Sequence, residues 1–210
     1  MVGTWRAEGI YPQREWTLIP SDFGQDADAW VSSECARVRE WFGEDASQRS
    51  DEDVRRILTD SLATVGEPGR LVTMLHWPLT VPIPSRVRLV LAEAGDLDVK
   101  AWEKSGFDVD ECIGAAVGPG IKCIASREES VDGHDLHLST AVYAFSGESG
   151  GVGLIVESGV PLAFQLTIAQ MPIILSSLSL LDPDGRPFEA RPVPGLTRNQ
   201  VDEWEQVSNA

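Results

Sequence analysis

The sequence predicts an α+β domain, an antiparallel sheet of about five to seven strands in meanders and hairpins, with two N-terminal helices and one late helix packed on one face. Three observations predict it. Apolar residues recur at helical spacing between Val31 and Val65. The period then changes to strict alternation after Leu71. Finally, Asp132-Gly133 sits between two long alternating segments, a strong two-residue hairpin signal.

Residues 1–25 look irregular or extended, anchored by Trp5, Tyr11 and Trp16, with Trp16 to Ile19 as a short edge strand closed by Pro20. Val31, Cys35, Val38 and Phe42 follow i, i+4, i+7, i+11 and mark a first helix. Asp26 and Asp28 favour its start through the helix dipole, and Gly43 ends it. A second helix is expected to open at Ser50-Asp51-Glu52-Asp53. It carries Val54, Ile57, Leu58, Leu62 and Val65 as its stripe and stops at Gly66-Glu67-Pro68-Gly69.

Leu71 to Trp77 and Arg86 to Ala92 are expected strands, joined by an extended link that Pro78, Pro82 and Pro84 enforce. Residues 94–112 stay open between helix and loop, with Asp98 to Ser105 compatible with a short helix and Phe107 to Glu111 with a loop. Ile121 to Glu129 and His134 to Phe145 form the hairpin, with Cys123 and Ala125 on the face of Leu136, Leu138, Thr140, Val142 and Ala144. A turn from Gly147 to Gly151 leads to a strand over Val152 to Glu157. Leu162, Phe164, Leu166 and Ile168 alternate with Ala163, Gln165, Thr167 and Ala169 and predict one more strand. Met171, Ile174, Leu175, Leu178 and Leu181 return to helical spacing. Residues 1–185 make one domain. Residues 186–210 form a proline-rich appendage with a short terminal helix that docks on a partner or on the body of the domain.

The opening Trp16-Thr17-Leu18-Ile19-Pro20, the helical start, the meander and the late Ile174-Leu175-Ser176-Ser177-Leu178 resemble the PsbP-like fold family. The resemblance covers residues 1–181 in outline, and the long helical region before Leu71 departs from it. It implies a small assembly or binding module rather than an enzyme.

Composition narrows the function classes. Seventeen basic against 33 acidic residues give −16, a field that disfavours nucleic acid and anionic membranes as partners. Three cysteines, Cys35, Cys112 and Cys123, form no C-x-x-C pair and fit reduced thiols in a cytoplasmic protein. The first residues lead into no apolar stretch, so no signal peptide is expected. Ser158 to Leu181 carries no charge and is long enough to span a bilayer. Gln165, Gln170, Thr167, four serines, Pro172 and acidic flanks favour a buried strand and helix instead.

Few constellations carry chemistry. Gly147-Glu148-Ser149-Gly150-Gly151 matches the G-x-S-x-G pattern of serine hydrolases and resembles the G-D-S-G-G of chymotrypsin-like enzymes. A strand rather than a helix follows it, and His76, His134 and His137 all precede Ser149. A chymotrypsin-like chain order would use His76, Asp108 and Ser149. Asp132, His134, Asp135 and His137 form the one ligand-rich cluster, but residues three apart on a strand face opposite ways, so no metal is expected there. Glycines 114, 118 and 120 before Lys122 satisfy no phosphate-loop pattern, and Asp108-Val109-Asp110-Glu111 lacks the later ligands of a calcium loop. Cys35 and Cys123 read as core thiols and Cys112 as an exposed, unactivated one.

The expectation is a non-enzymatic binding or assembly module without cofactor, with a protein partner or a second copy contacted through Phe188, Val201 and Trp204. The alternative is a serine hydrolase using Ser149.

Overall fold

The structure, a computed structural model, describes residues 4–11, 14–20, 26–131, 134–194 and 196. The strands are β1 (Arg6–Glu8), β2 (Trp16–Ile19), β3 (Arg70–His76), β4 (Ser85–Ala92), β5 (Asp108–Gly114), β6 (Gly118–Val131), β7 (His134–Ser146), β8 (Gly151–Ser158) and β9 (Ser179–Leu181). The helices are α1 (Ala27–Phe42), α2 (Gln48–Leu62), α3 (Val99–Lys104) and α4 (Pro161–Ser177). Seven strands form one antiparallel sheet in the order β2-β3-β4-β8-β7-β6-β5, and β1 pairs with β9 in a second, small sheet. The fold class is α+β, as the change of period predicts.

Local chemistry explains the helices. The Asp26 carboxylate accepts the Asp28 N–H at 3.0 Å and caps α1, whose Val31, Cys35, Val38 and Phe42 are all buried. The cap of α2 is Ser47, three residues earlier than expected, and its hydroxyl accepts the Ser50 N–H at 3.1 Å. Ser50 therefore lies inside the first turn, as the partner of the cap.

The hairpin keeps the expected register. Val131 pairs with His134, Glu128 with His137 and Cys123 with Val142. Positions 132 and 133 themselves lie outside the described residues.

Three expectations are overturned. Residues 108–111 are not a loop, because β5 pairs with β6 from Asp108↔Ile124 to Gly114↔Gly118. Its acids hid the strand, and acids are what an edge strand uses to stay unpaired on its free side. Residues 162–169 are not a strand, because α4 runs unbroken from Pro161 to Ser177. Its buried residues, Ala163, Phe164, Thr167, Met171, Ile174 and Leu175, have helical spacing. The outward Leu162, Leu166 and Ile173 are apolar too, so no polar stripe revealed the period. Pro161 opens this helix where its missing N–H costs nothing. The helical spacing expected up to Leu181 ends at Ser177, and Ser179–Leu181 is β9.

Third, the helices lie on both faces of the sheet. On one face α4 and the Phe188 ring bury Met74, Val87, Leu89, Tyr143, Phe145, Val152, Leu154 and Val156. On the other, α1 and α2 cover Ile19, Leu75 and Trp77, while Trp102 of α3 leans on Ile121, Cys123, Val142 and Ala144. The strands near the middle of the sheet alternate between two apolar faces, so both need a cover. Among the described residues no helix is long and apolar enough to cross a membrane.

Candidate functional site

The α4 face of the sheet has an incompletely filled region among the described residues. A pocket of about 310 Å³ opens between β1 and the strands beneath it. Its floor is a cross-strand row on one face, Leu18 and Met74, then Val72, Leu89 and Leu154. Ile174 and Leu178, at the C-terminal end of α4, form the back wall. Ala7, Glu8, Gly9, Ile10 and Tyr11 form the roof. Glu8, itself exposed, is the one charged residue among the described residues of this lining.

The roof is a strap held at two places. β1 pairs with β9 from Arg6↔Leu181 to Glu8↔Ser179. Beyond it, the Ser177 Oγ accepts the Ile10 N–H at 2.9 Å and lies 3.2 Å from the Ile10 carbonyl oxygen. The same hydroxyl is 3.1 Å from the Ile174 carbonyl, so one proton serves two acceptors. Ile10 and Leu18, 71% and 42% exposed, stand at the mouth as bare apolar side chains.

The sequence-derived site residues are dispersed. Ser149 is exposed and lines a separate polar hollow of about 610 Å³ with Glu148, Asp182, Arg186, Glu189 and Arg191. His76 pairs with Ser85 at one end of β4, while Gly151, two residues after Ser149, pairs with Ala92 at the other end. Eight strand residues separate these ends by about 23 Å. His137 and His134 lie still farther along β7, whose Ser146 is the residue paired with Gly151. The described imidazoles of His76 and His137 thus stand toward the end of the sheet away from Ser149. The glycines around Ser149 serve packing. A β-carbon at Gly147 would lie 2.6 Å from the Glu189 carbonyl and 2.9 Å from the Phe188 ring.

Phe188 faces its own chain. It is 1% exposed and meets Trp5 with ring centroids 6.0 Å apart, so the segment after Arg186 docks on the body of the domain at this point. Val201 and Trp204 lie outside the described residues. Cys112 is half-buried rather than exposed, and burial above all pushes its thiol up to about 12, which leaves it unreactive. Burial likewise raises Cys123 to about 12. His137 Nε2 lies 3.1 Å from the Ser139 hydroxyl, and among the described residues no three metal-ligating side chains converge.

Sequence reasoning missed both the pocket and the setting of His76. That imidazole is 1% exposed, stacked on Trp16 with centroids 4.3 Å apart. Its Nδ1 lies 2.8 Å from the Thr167 hydroxyl of α4, and that hydroxyl donates to the Ala163 carbonyl at 2.7 Å. Nδ1–H is therefore the donor, and Nε2 carries the lone pair, with Glu15 Oε1 3.5 Å away. Burial lowers its pKa to about 4. The alternation of Leu71 to Trp77 was the available signal, since it put His76 on the face of Met74.

Comparison with known protein families finds no match, and none is found among curated proteins. Among solved structures, that of LpqN, described as involved in cell envelope biogenesis of Mycobacterium tuberculosis, overlays with a TM-score of 0.41. The overlay has 12% identity and covers 85% of this chain and 84% of that one.

Proposed function

We propose that this protein is a non-enzymatic binding module whose guest is an apolar group seated in the pocket beneath the Ala7–Tyr11 strap. The observation that supports the reading is the pocket itself, an opening floored by five apolar side chains from four strands, with one charged residue in its lining. Its volume falls within the range in which folded proteins hold small ligands. A core that merely closes on itself would fill such a space, because interiors pack as densely as organic crystals. The separation of Ser149 from every histidine favours binding over hydrolysis. The resemblance of the sequence to PsbP-like modules points the same way.

The test is titration of the full chain with a neutral solvatochromic dye. One dye per chain is expected to bind with a blue-shifted emission, weakened at least ten-fold by Ile10→Glu or Leu18→Glu at the exposed mouth. Binding unaffected by both variants places the dye elsewhere and removes the reading.

A further inference from the structure

We propose, resting on the reading of the pocket as a binding site, that the guest is a slender single-chain amphiphile of about ten carbons with an uncharged or cationic head. Size comes first. A methylene takes up about as much room as a water molecule, about 30 Å³ in the liquid, so roughly ten fill the space. The 310 Å³ is too small for a two-chain lipid or a fused-ring sterol. Shape is the second argument. The strap is tied along the 177–181 run and faces the strand floor, so the space between them is a narrow groove that suits an extended chain. An α-helix of a partner, about 10 Å across, is too wide for it.

Charge decides the head. Among the described residues no cationic side chain lines the pocket. Arg6 and Glu8, two apart on β1, are both exposed and share its outer face, while Ala7 between them packs on the core. The whole chain carries −16. A carboxylate head would leave water against that field with no arginine or lysine to receive it, whereas a hydroxyl or an amine would not. Beside the back wall, Ile173 of α4 is exposed and apolar, on a helix without a single ionisable residue.

The experiment displaces the neutral dye with n-alkanols, n-alkylamines and n-alkanoates of increasing length at low ionic strength, with the full chain. For alkanols, affinity is expected to rise about four-fold per methylene and to level off near ten carbons. Alkanoates should bind at least ten-fold more weakly than alkanols of the same length, and added salt should narrow that gap. Val72→Phe, which puts a ring into the floor, should move the plateau about two carbons shorter. If that variant does not fold by circular dichroism, Leu18→Phe at the mouth takes its place with the same expectation. Alkanoates binding as tightly as alkanols, a flat length profile, or an unmoved plateau in a folded variant overturns the inference. If the dye binds and these tests fail, this inference alone falls. If neither dye nor alkanol binds, the reading of the pocket falls with it.

Discussion

His76 shows what one buried side chain does to the pH response. Its unfolded value is near 6.5 and its folded value about 4, because burial beneath α4 disfavours the imidazolium. The unfolded chain therefore takes up the proton first as pH falls. Stability from this group is complete above 6.5 and is lost between 6.5 and about 4, a loss of about 3 kcal/mol. Glu15, 3.5 Å from Nε2, is the carboxylate that a protonated Nε2–H would face. Asp182 acts in the next window. The backbone N–H of Arg186 above all, with that of Asp184, holds its carboxyl below the usual range, so its contribution is present above the unfolded value and is lost at still lower pH. Thermal melts at pH 7, 5.5 and 4.5 should show the wild-type midpoint falling, with a visibly shallower decline in His76→Gln. Equal slopes in the two proteins would show that His76 titrates alike folded and unfolded.

At the scale of elements, two connections tie residues 6–10 and 188–191 to the rest of the domain. The strap depends on three residue pairs with β9 and on the Ser177 hydroxyl. Ser177→Ala removes both Ile10 contacts, each of the order of 1 kcal/mol net. It should speed amide exchange at Ile10 and dissociation of a bound guest about five-fold, with little change in the global melting point. Unchanged exchange at Ile10 would mean that β1–β9 pairing alone holds the strap. The second connection is the segment that carries Phe188. Its backbone docks through Phe188 N–H to the Leu180 carbonyl at 2.9 Å and Arg191 N–H to the Ser146 carbonyl at 2.7 Å. Its ring belongs to the core beneath α4. Phe188→Ala should cost about 3–5 kcal/mol in urea denaturation. A cost below 1 kcal/mol would show that the segment rests on the domain without stabilising it.

Over the whole molecule, the −16 charge makes the native state repel itself. The pairs that offset it, such as Arg39–Asp51 and Arg56–Asp53, are largely exposed and contribute little. Melting temperature should therefore rise by several degrees from about 0.02 to about 0.3 M sodium chloride, where screening shortens to a few ångströms. A fall over that range would mean that attraction between charges outweighs repulsion. The α+β class, the caps and stripes of α1, and the register of the β6–β7 hairpin were legible in the amino-acid sequence. Each rests on interactions a few residues apart or on one turn. The second helix was legible except for its first turn, where Ser47 rather than Ser50 takes the first free N–H. What the tertiary structure decided is of another kind. The segment 161–177 is helical because a helix there covers the face of Leu89, Leu154 and Tyr143, and a stretch whose outer side is also largely apolar has no clear period of its own to announce that. β5 forms because β6 offers it a partner, and its own acids conceal it. The pocket joins residues 7–11, 18, 72, 74, 89, 154, 174 and 178, whose side chains meet only once the strands have paired and the strap has closed. No local pattern of residues encodes a space that distant elements leave between them.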